Sequence, residues 1–331
     1  MRVEDDLLHG FVVHHLWFTC QALSALALPP QGGAALRGAL FGVLRRMEAQ
    51  SGAPPEALTP VQWLLAHENA ASQRGIRVPA PYTIEPALAN GRTYQPGEAL
   101  GFGLSLFGQA TALLPLVVDG IDLVGHEGVG RPLDRNGDAR SRGGARGRFT
   151  LRGIEAVNPL TGARRTLMNA AREVVALPDI PVTWAQAQQA AATLPADRLT
   201  LHFLTPTRIV DEGRLVHRPL FRPLFQRLLE RLISLCETFG GGKPDLDARA
   251  LVDAAGEVRL VEDHTRWVDL HSGSRRLGRS TPIGGFVGAA AYAGDLAPFL
   301  PFLLMGQSTH VGKSAVKGDG WYEVVKPRPE R

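Results

Sequence analysis

Arg198-Leu-Thr-Leu-His-Phe-Leu204 alternates apolar and polar residues and is followed, after a turn at Asp211-Glu-Gly213, by Phe221-Arg-Pro-Leu-Phe-Gln-Arg-Leu-Leu-Glu-Arg-Leu-Ile-Ser-Leu-Cys-Glu-Thr-Phe239. The first stretch has the period of a strand. In the second, Phe221, Leu224, Phe225, Leu228, Leu229, Leu232, Ile233, Cys236 and Phe239 form one apolar stripe, which predicts a long amphipathic helix ending at Gly240 to Gly242. Two strand-like runs follow, Glu257 to Val261 and Thr265 to Leu270, and a third, Gly285 to Tyr292, is built of small, β-branched and aromatic residues. A helix is then expected over Leu296, Phe299, Leu300, Leu303 and Leu304, with Pro298 in its first turn. A loop containing Gly306, Gly312, Gly318 and Gly320 leads to a last strand at Trp321 to Val325. The order strand, helix, strands, helix, strand is the βαββαβ pattern of a ferredoxin-like, RRM-like domain.

The first half echoes this order. His15 to Leu23 and Leu100 to Phe107 alternate as strands. Ala34 to Met47 places Leu36, Leu40, Val43, Leu44 and Met47 on one helix face, and Thr111 to Val124 has a helical pattern weakened by Pro115 and Gly120. Gly125, Gly128 and Gly130 then precede a strand from Arg148 to Val157. Both halves therefore end in helix, glycine-rich loop and strand. The expected class is α+β, with two tandem ferredoxin-like domains, each carrying a glycine-rich loop before its last strand. The expected limits are 1–165 for the first domain, with a Pro- and Gly-rich insertion at about 51–97, 166–197 for an Ala- and Gln-rich connector, and 198–331 for the second domain.

The chain of 331 residues suits two domains of roughly 150 residues each, and 44% hydrophobic with 21% charged residues excludes a disordered or collagen-like chain. The two cysteines, Cys20 and Cys236, form no paired motif, which excludes a disulfide framework and a cysteine-rich zinc site. The start carries acids where a signal peptide carries basic residues, so a cytoplasmic location is expected. The apolar run Ile283 to Gly306 is broken by Asp295, Pro298 and Pro301 and is read as a buried strand and a core helix, so no membrane is expected.

Lys and Arg together number 36, yet only Lys243, Lys313, Lys317 and Lys326 are lysines. An arginine-rich surface offers planar forks of donors suited to phosphates. The bias concentrates in Arg131 to Arg165, where nine arginines face three acids, and Gly and Arg interleave in Arg142-Gly-Gly-Ala-Arg-Gly-Arg148. This is a basic loop suited to a nucleic-acid backbone. Arg266, Arg275, Arg276 and Arg279 form a second basic set around Ser272-Gly-Ser274. Gly306-Gln-Ser-Thr-His-Val-Gly312-Lys313-Ser314 is not a nucleotide-binding P-loop, because five residues separate the glycines and a helix precedes them. The expected role of its glycines is to let backbone amides approach a ligand while Lys313 and Lys317 supply charge. No histidine has metal-site spacing, since His67-Glu68 lacks a second histidine and His14 and His15 point to opposite faces of a strand. No metal and no cofactor is expected. His310, beside Lys313, is the histidine best placed for acid-base work.

Several stretches together resemble the CRISPR-associated precursor-RNA processing endoribonucleases of the RAMP superfamily. They are Leu201-His-Phe-Leu-Thr-Pro-Thr-Arg208, the helix from Pro219, Gly284-Gly-Phe-Val-Gly288 with Gly294-Asp-Leu-Ala-Pro-Phe-Leu300, and His310-Val-Gly-Lys313 running to Gly318-Asp-Gly-Trp-Tyr322. In the first half, Leu36-Arg-Gly-Ala39, Gly97-Glu98 before Leu106-Phe-Gly108, and Arg146-Gly-Arg-Phe149 add to the resemblance, which spans residues 14 to 325.

The resemblance implies two ferredoxin-like domains that bind the repeat stem-loop of a CRISPR transcript and cut it without metal. The 2′-hydroxyl attacks the adjacent phosphate, leaving a 2′,3′-cyclic phosphate and a 5′-hydroxyl. A base, an acid and cations serve such a reaction. It also implies that the product stays bound and passes to other subunits of an interference complex. Related chains often place catalytic histidines on or near the first helix, whereas Ala34 to Met47 has only Arg37, Arg45 and Arg46. The candidate catalytic residues are therefore His310, with His15 as the alternative acid or base, and Lys313 for the phosphorane; His14 and His67 stay open. Arg37, Arg142, Arg146, Arg148, Arg208, Arg275, Arg276, Gly306, Gly312, Lys317, Gly318 and Gly320 are the candidate RNA contacts. A hairpin-binding subunit that does not cut is the alternative.

Overall fold

The computed structural model describes residues 7–8, 10–30, 32–52, 59–65, 79–88, 91–134, 144–274 and 279–325. They fall into two compact units, one of His14–Val157 with Ala163–Ile180, the other of Met1–Val13, Asn158–Gly162 and Pro181–Arg331. The segment 166–197, expected as a connector, is thus shared out: its first part belongs to the first unit and its second to the other.

In the first unit, β1 (Val13–Ala22), α1 (Gly32–Gln50), β2 (Tyr82–Glu85), β3 (Ala99–Phe107), α2 (Leu114–Glu127), β4 (Phe149–Val157) and β5 (Arg164–Met168) build a sheet of order β2-β3-β1-β4-β5. The first four strands in this order are those of a ferredoxin-like sheet, with β5 added at one edge. Alternation decides which face is covered. Leu16, Phe18, Cys20 and Ala22 of β1 are buried, as are Leu36, Leu40, Val43 and Leu44 of α1 and Val117, Ile121 and Val124 of α2, while Phe18 stacks on Phe102 at 5.3 Å between ring centroids. Gly120 lets the helices close up, since a Cβ there would lie 2.8 Å from Leu40 Cδ1. The irregular pattern over Thr111 to Val124 is explained by a 3-10 turn, Gly108–Leu113, which precedes α2 and leaves Pro115 in the first helical turn. One strand lies where an insertion was expected. Tyr82-Thr-Ile-Glu85, within 51–97, is the edge strand β2, antiparallel to β3 with Tyr82 opposite Leu106. Its four residues, all buried, are too short a run to stand out between Pro81 and Pro86.

In the second unit, α3 (Trp184–Ala191), β6 (Arg198–Thr207), α4 (Phe221–Phe239), β7 (Arg259–Val268), β8 (Gly285–Ala293), α5 (Leu300–Thr309) and β9 (Tyr322–Val325) give a sheet of order β7-β8-β6-β9. This again is the ferredoxin-like order, antiparallel throughout. The turn at Asp211 to Gly213 closes a small hairpin, with Glu212 and Gly213 both at positive φ, 46° and 77°. The apolar stripe of α4 is the buried one, and Phe221, Phe225, Phe299 and Phe302 pack edge to face between the helices. Tyr292 and Tyr322 are buried whole because their hydroxyls donate to the carbonyls of Pro219 and Leu303, each at 2.7 Å.

Two local expectations are corrected here. The runs 257–261 and 265–270 form one strand, β7, with a register shift between Leu260 and Glu262 that breaks the alternation. Helix α5 begins at Leu300, so Pro301, and not Pro298, occupies its first turn. A further short helix, Ala248–Ala254, is capped by the Asp247 carboxylate, which accepts from the Ala250 amide at 2.9 Å.

Candidate functional site

The second half of the chain carries most of the sequence signals, and the structure shows what its glycine loop does. Helix α5 ends at His310, whose amide donates to the Gly306 carbonyl at 2.8 Å. From there the loop folds back onto the end of β6. The amides of Val311, Gly320 and Lys313 donate to the carbonyls of Gly320, Pro206 and Arg208, each at 3.0 Å, and the Trp321 amide donates to Thr205 Oγ1 at 2.9 Å. Gly312 and Gly320 both have positive φ, and a Cβ at either would run into the backbone of Arg208 or Val311. These glycines serve close packing of the loop on itself and on β6. Gly306 lies inside α5, against the Tyr322 hydroxyl. The expected presentation of loop amides to a ligand therefore gives way, at these positions, to intramolecular hydrogen bonds.

His310 is fully buried, its ring stacked on Trp321 at 6.1 Å and 10°. Its backbone, at φ 61° and ψ 171°, occupies a region that glycine fills readily and other residues at a cost of about 1–3 kcal/mol. The same region is rich in enclosed polar groups. Arg231 is half-buried, donates from Nε to the Thr309 carbonyl at 2.7 Å, and has its pKa pushed down to about 10 by desolvation. Asp319, between Gly318 and Gly320, is 7% exposed, and burial raises its carboxyl to about 8 against a smaller opposing effect of Lys317. Lys313 is exposed and Lys317 half-buried.

The first unit places its histidine differently. The side chains of β1 that do not face the helices are His15, Trp17, Thr19 and Gln21. His15 Nε2 lies 2.5 Å from Glu85 Oε2, with the histidine side chain 12% exposed and the glutamate fully buried. Ser105 Oγ donates to the other carboxylate oxygen at 3.1 Å. Two glycines of β3 make the room: a Cβ at Gly103 would run into Glu85 Oε2, and one at Gly101 would lie 2.6 Å from the Trp17 ring. His15 Nδ1 is covered and has no hydrogen-bond partner. Neighbouring His14 is half-buried, and desolvation lowers its pKa.

Of the expected RNA contacts, Arg37 lies over the Phe41 ring at 5.3 Å. Arg146 donates to the Gly130 carbonyl at 3.3 Å and Arg208 to the Gly284 carbonyl at 3.1 Å. Arg148 is exposed. Arg142, Arg275, Arg276 and His67 lie outside the described residues. His15 and His310 belong to different units. Sequence patterns missed Glu85, Ser105 and Trp17. The signal that was present is Gly101-Phe-Gly103-Leu-Ser105, in which one face of a strand carries only small residues.

Residues 11–180, just over half of the chain, match the family model AF_1859_N, described as an N-terminal domain. Residues 201–322 match the model of the CRISPR-associated endoribonuclease Cas6. No curated protein matches the sequence. Among solved structures, Thermus thermophilus Cas6 (TTHB231) aligns with a TM-score of 0.55 at 14% identity over 95% of this chain and 99% of its own. The Cas6 (TTHA0078) product complex aligns with a TM-score of 0.52 at 19% identity, covering 95% and 100%. The partial Cas6-RT-Cas1–Cas2 complex gives 0.58 at 13% identity over 98% of this chain and 47% of that one. At such identities the likeness is one of fold, which is two ferredoxin-like units in tandem.

Proposed function

We propose that this chain, which belongs to the Cas6 family of CRISPR-associated endoribonucleases, binds the repeat stem-loop of precursor CRISPR RNA and cuts it by 2′-hydroxyl attack without metal. The observation that carries this reading is His15, partly exposed on the helix-free face of the first sheet and joined to a buried carboxylate. His15 takes the 2′-hydroxyl proton, the O2′–P bond forms, the P–O5′ bond breaks, and the departing 5′-oxygen takes a proton from water. The products are a 2′,3′-cyclic phosphate and a 5′-hydroxyl. Lys313 and Lys317, on the loop of the second unit, contact phosphates, as does Arg148. A-form RNA offers its backbone and shape more readily than its base edges, which suits a basic surface. After cleavage the product stays bound and joins other subunits of an interference complex, in the cytoplasm.

The test is incubation of the protein with labelled RNA of its own repeat in EDTA, with analysis of the product ends. A cyclic phosphate and a 5′-hydroxyl are expected, and cleavage that stops in EDTA and returns with a divalent cation overturns the metal-free route. One observation favours the alternative, a hairpin-holding subunit: His310 is enclosed and Nδ1 of His15 is covered. Tight binding with intact RNA in every condition would establish it.

A further inference from the structure

We propose that Trp17 is a stacking platform for one unpaired base of the RNA, set beside His15 so that the nucleotide it holds adjoins the phosphate that is cut. The inference rests on the reading of this chain as an RNA-cutting protein.

Trp17 lies on β1, the central strand of the first sheet, and belongs to its helix-free face. The other positions of β1 on that face, His15, Thr19 and Gln21, are all polar. On β3 the same face carries Gly101, Gly103 and Ser105, while Leu100, Phe102 and Leu104 are buried on the other side. The largest apolar side chain of β1 is thus kept out of the core that Leu16 and Phe18 fill. Its indole is also held differently from three others in the chain. Trp184, Trp267 and Trp321 each pack on a second ring, that of Phe302, His217 or His310. Trp17 has no aromatic or cationic partner among the described residues, and its Nε1 makes no hydrogen bond there.

What the indole touches is bare backbone. A Cβ at Gly101 would lie 2.6 Å from Cζ2, 2.9 Å from Cε2 and 3.0 Å from Nε1 of Trp17. A glycine inside a strand weakens it and marks a close approach, and here it lets the ring lie low against the sheet while the half-buried side chain keeps part of its surface open. Every base has a π-face, so an open aromatic ring on a sheet suits unpaired nucleotides of any sequence. The charges around it permit this. Glu155, opposite Trp17 in the register, is paired with Arg164 at 2.8 Å. Arg152, at the register shift of β4 opposite Thr19 and Cys20, is exposed, has no ion pair among the described residues and supplies charge for a phosphate. His15 is two residues from Trp17 on the same face, roughly 7 Å along the strand, so a base on the indole brings its own ribose and phosphate towards the histidine.

The test measures affinity and single-turnover cleavage on the full-length chain, using repeat RNAs in which each unpaired nucleotide is replaced in turn by an abasic one. Trp17→Ala should weaken binding about tenfold and slow cleavage, and Trp17→Phe should restore most of the affinity. One abasic position should cost the wild type about as much as the substitution does and cost Trp17→Ala nothing further, a coupling that a tryptophan serving packing alone does not produce. RNA should also quench indole fluorescence more in the wild type than in Trp17→Phe, which decides the matter if Trp17→Ala does not fold. Abasic losses that are the same in the wild type and Trp17→Ala, or quenching that is the same in the wild type and Trp17→Phe, overturn the inference and leave the function standing. A folded Trp17→Ala that binds and cuts like the wild type does so too. If the wild type neither binds nor cuts its repeat RNA, the function falls and this inference with it.

Discussion

The two units share one topology and differ in what they do with a histidine. In the first, His15 sits on the helix-free face of the sheet, joined to a buried glutamate and beside a row of small residues. In the second, His310 closes a helix, is sealed beneath a loop and stacks on Trp321. The sequence around His310 carries the denser pattern of glycine and lysine, yet the structure shows that much of it serves to hold the loop against β6. Burial and hydrogen-bond partners, more than motif density, separate a group available for chemistry from one that shapes the fold.

This contrast can be broken most sharply by substitution at the two histidines. His15→Ala should lower single-turnover cleavage by about 10²–10⁴-fold, the usual contribution of a general base, with repeat-RNA affinity within a few-fold. His310→Ala should leave cleavage within a few-fold, while denaturant titration shows a stability loss of about 2 kcal/mol for an emptied, buried ring site. Equal loss of cleavage in both would erase the distinction between the units.

The loop can be tested next. Gly320→Ala places a Cβ against the Val311 carbonyl at a positive φ of 72°. A loss of about 3 kcal/mol or more is expected in chemical unfolding, from combined overpacking and backbone strain. Stability within about 0.5 kcal/mol of wild type would show that the loop is looser than its packing implies.

Asp319 gives a smaller, pH-dependent effect. Its carboxyl is near 3.8 when exposed and about 8 in the folded chain. The folded state then holds a proton that the unfolded state has lost, so its contribution to stability is whole below about pH 4 and falls as pH rises through 8. Asp319→Asn should flatten the decline in stability between these limits, measured by urea unfolding across pH. An unchanged slope would show that the group ionises freely in place. The smallest effect belongs to Gly120→Ala in α2, where the end of the Leu40 side chain is able to give way. About 1 kcal/mol is expected from unfolding curves.

Much of this fold was legible because its long elements repeat cleanly. The stripe from Phe221 to Phe239 and the alternation of His15 to Leu23 predicted a helix and a strand within a residue or two of where they lie. What was not legible has physical causes. The extra residue between Leu260 and Glu262 shifts the alternation by one and divides a strand that is continuous through hydrogen bonding. The edge strand Tyr82–Glu85 is four residues long between prolines, and only pairing with β3 reveals it. At the site, His15 was visible as a histidine on a strand, but Glu85 lies 70 residues away in sequence and meets it only because β2 and β1 flank β3. The glycines at 312 and 320 were expected to let backbone amides approach a ligand, and in the structure what lies against them is the chain's own backbone.

The most direct measurement is single-turnover cleavage of the repeat RNA in EDTA by the wild type, His15→Ala and His310→Ala, with RNA affinity measured on the same samples. Cleavage lost in His15→Ala and retained in His310→Ala, with RNA bound by all three, is the predicted result. Cleavage retained in His15→Ala and lost in a folded, RNA-binding His310→Ala would move the chemistry to the second unit and contradict the account.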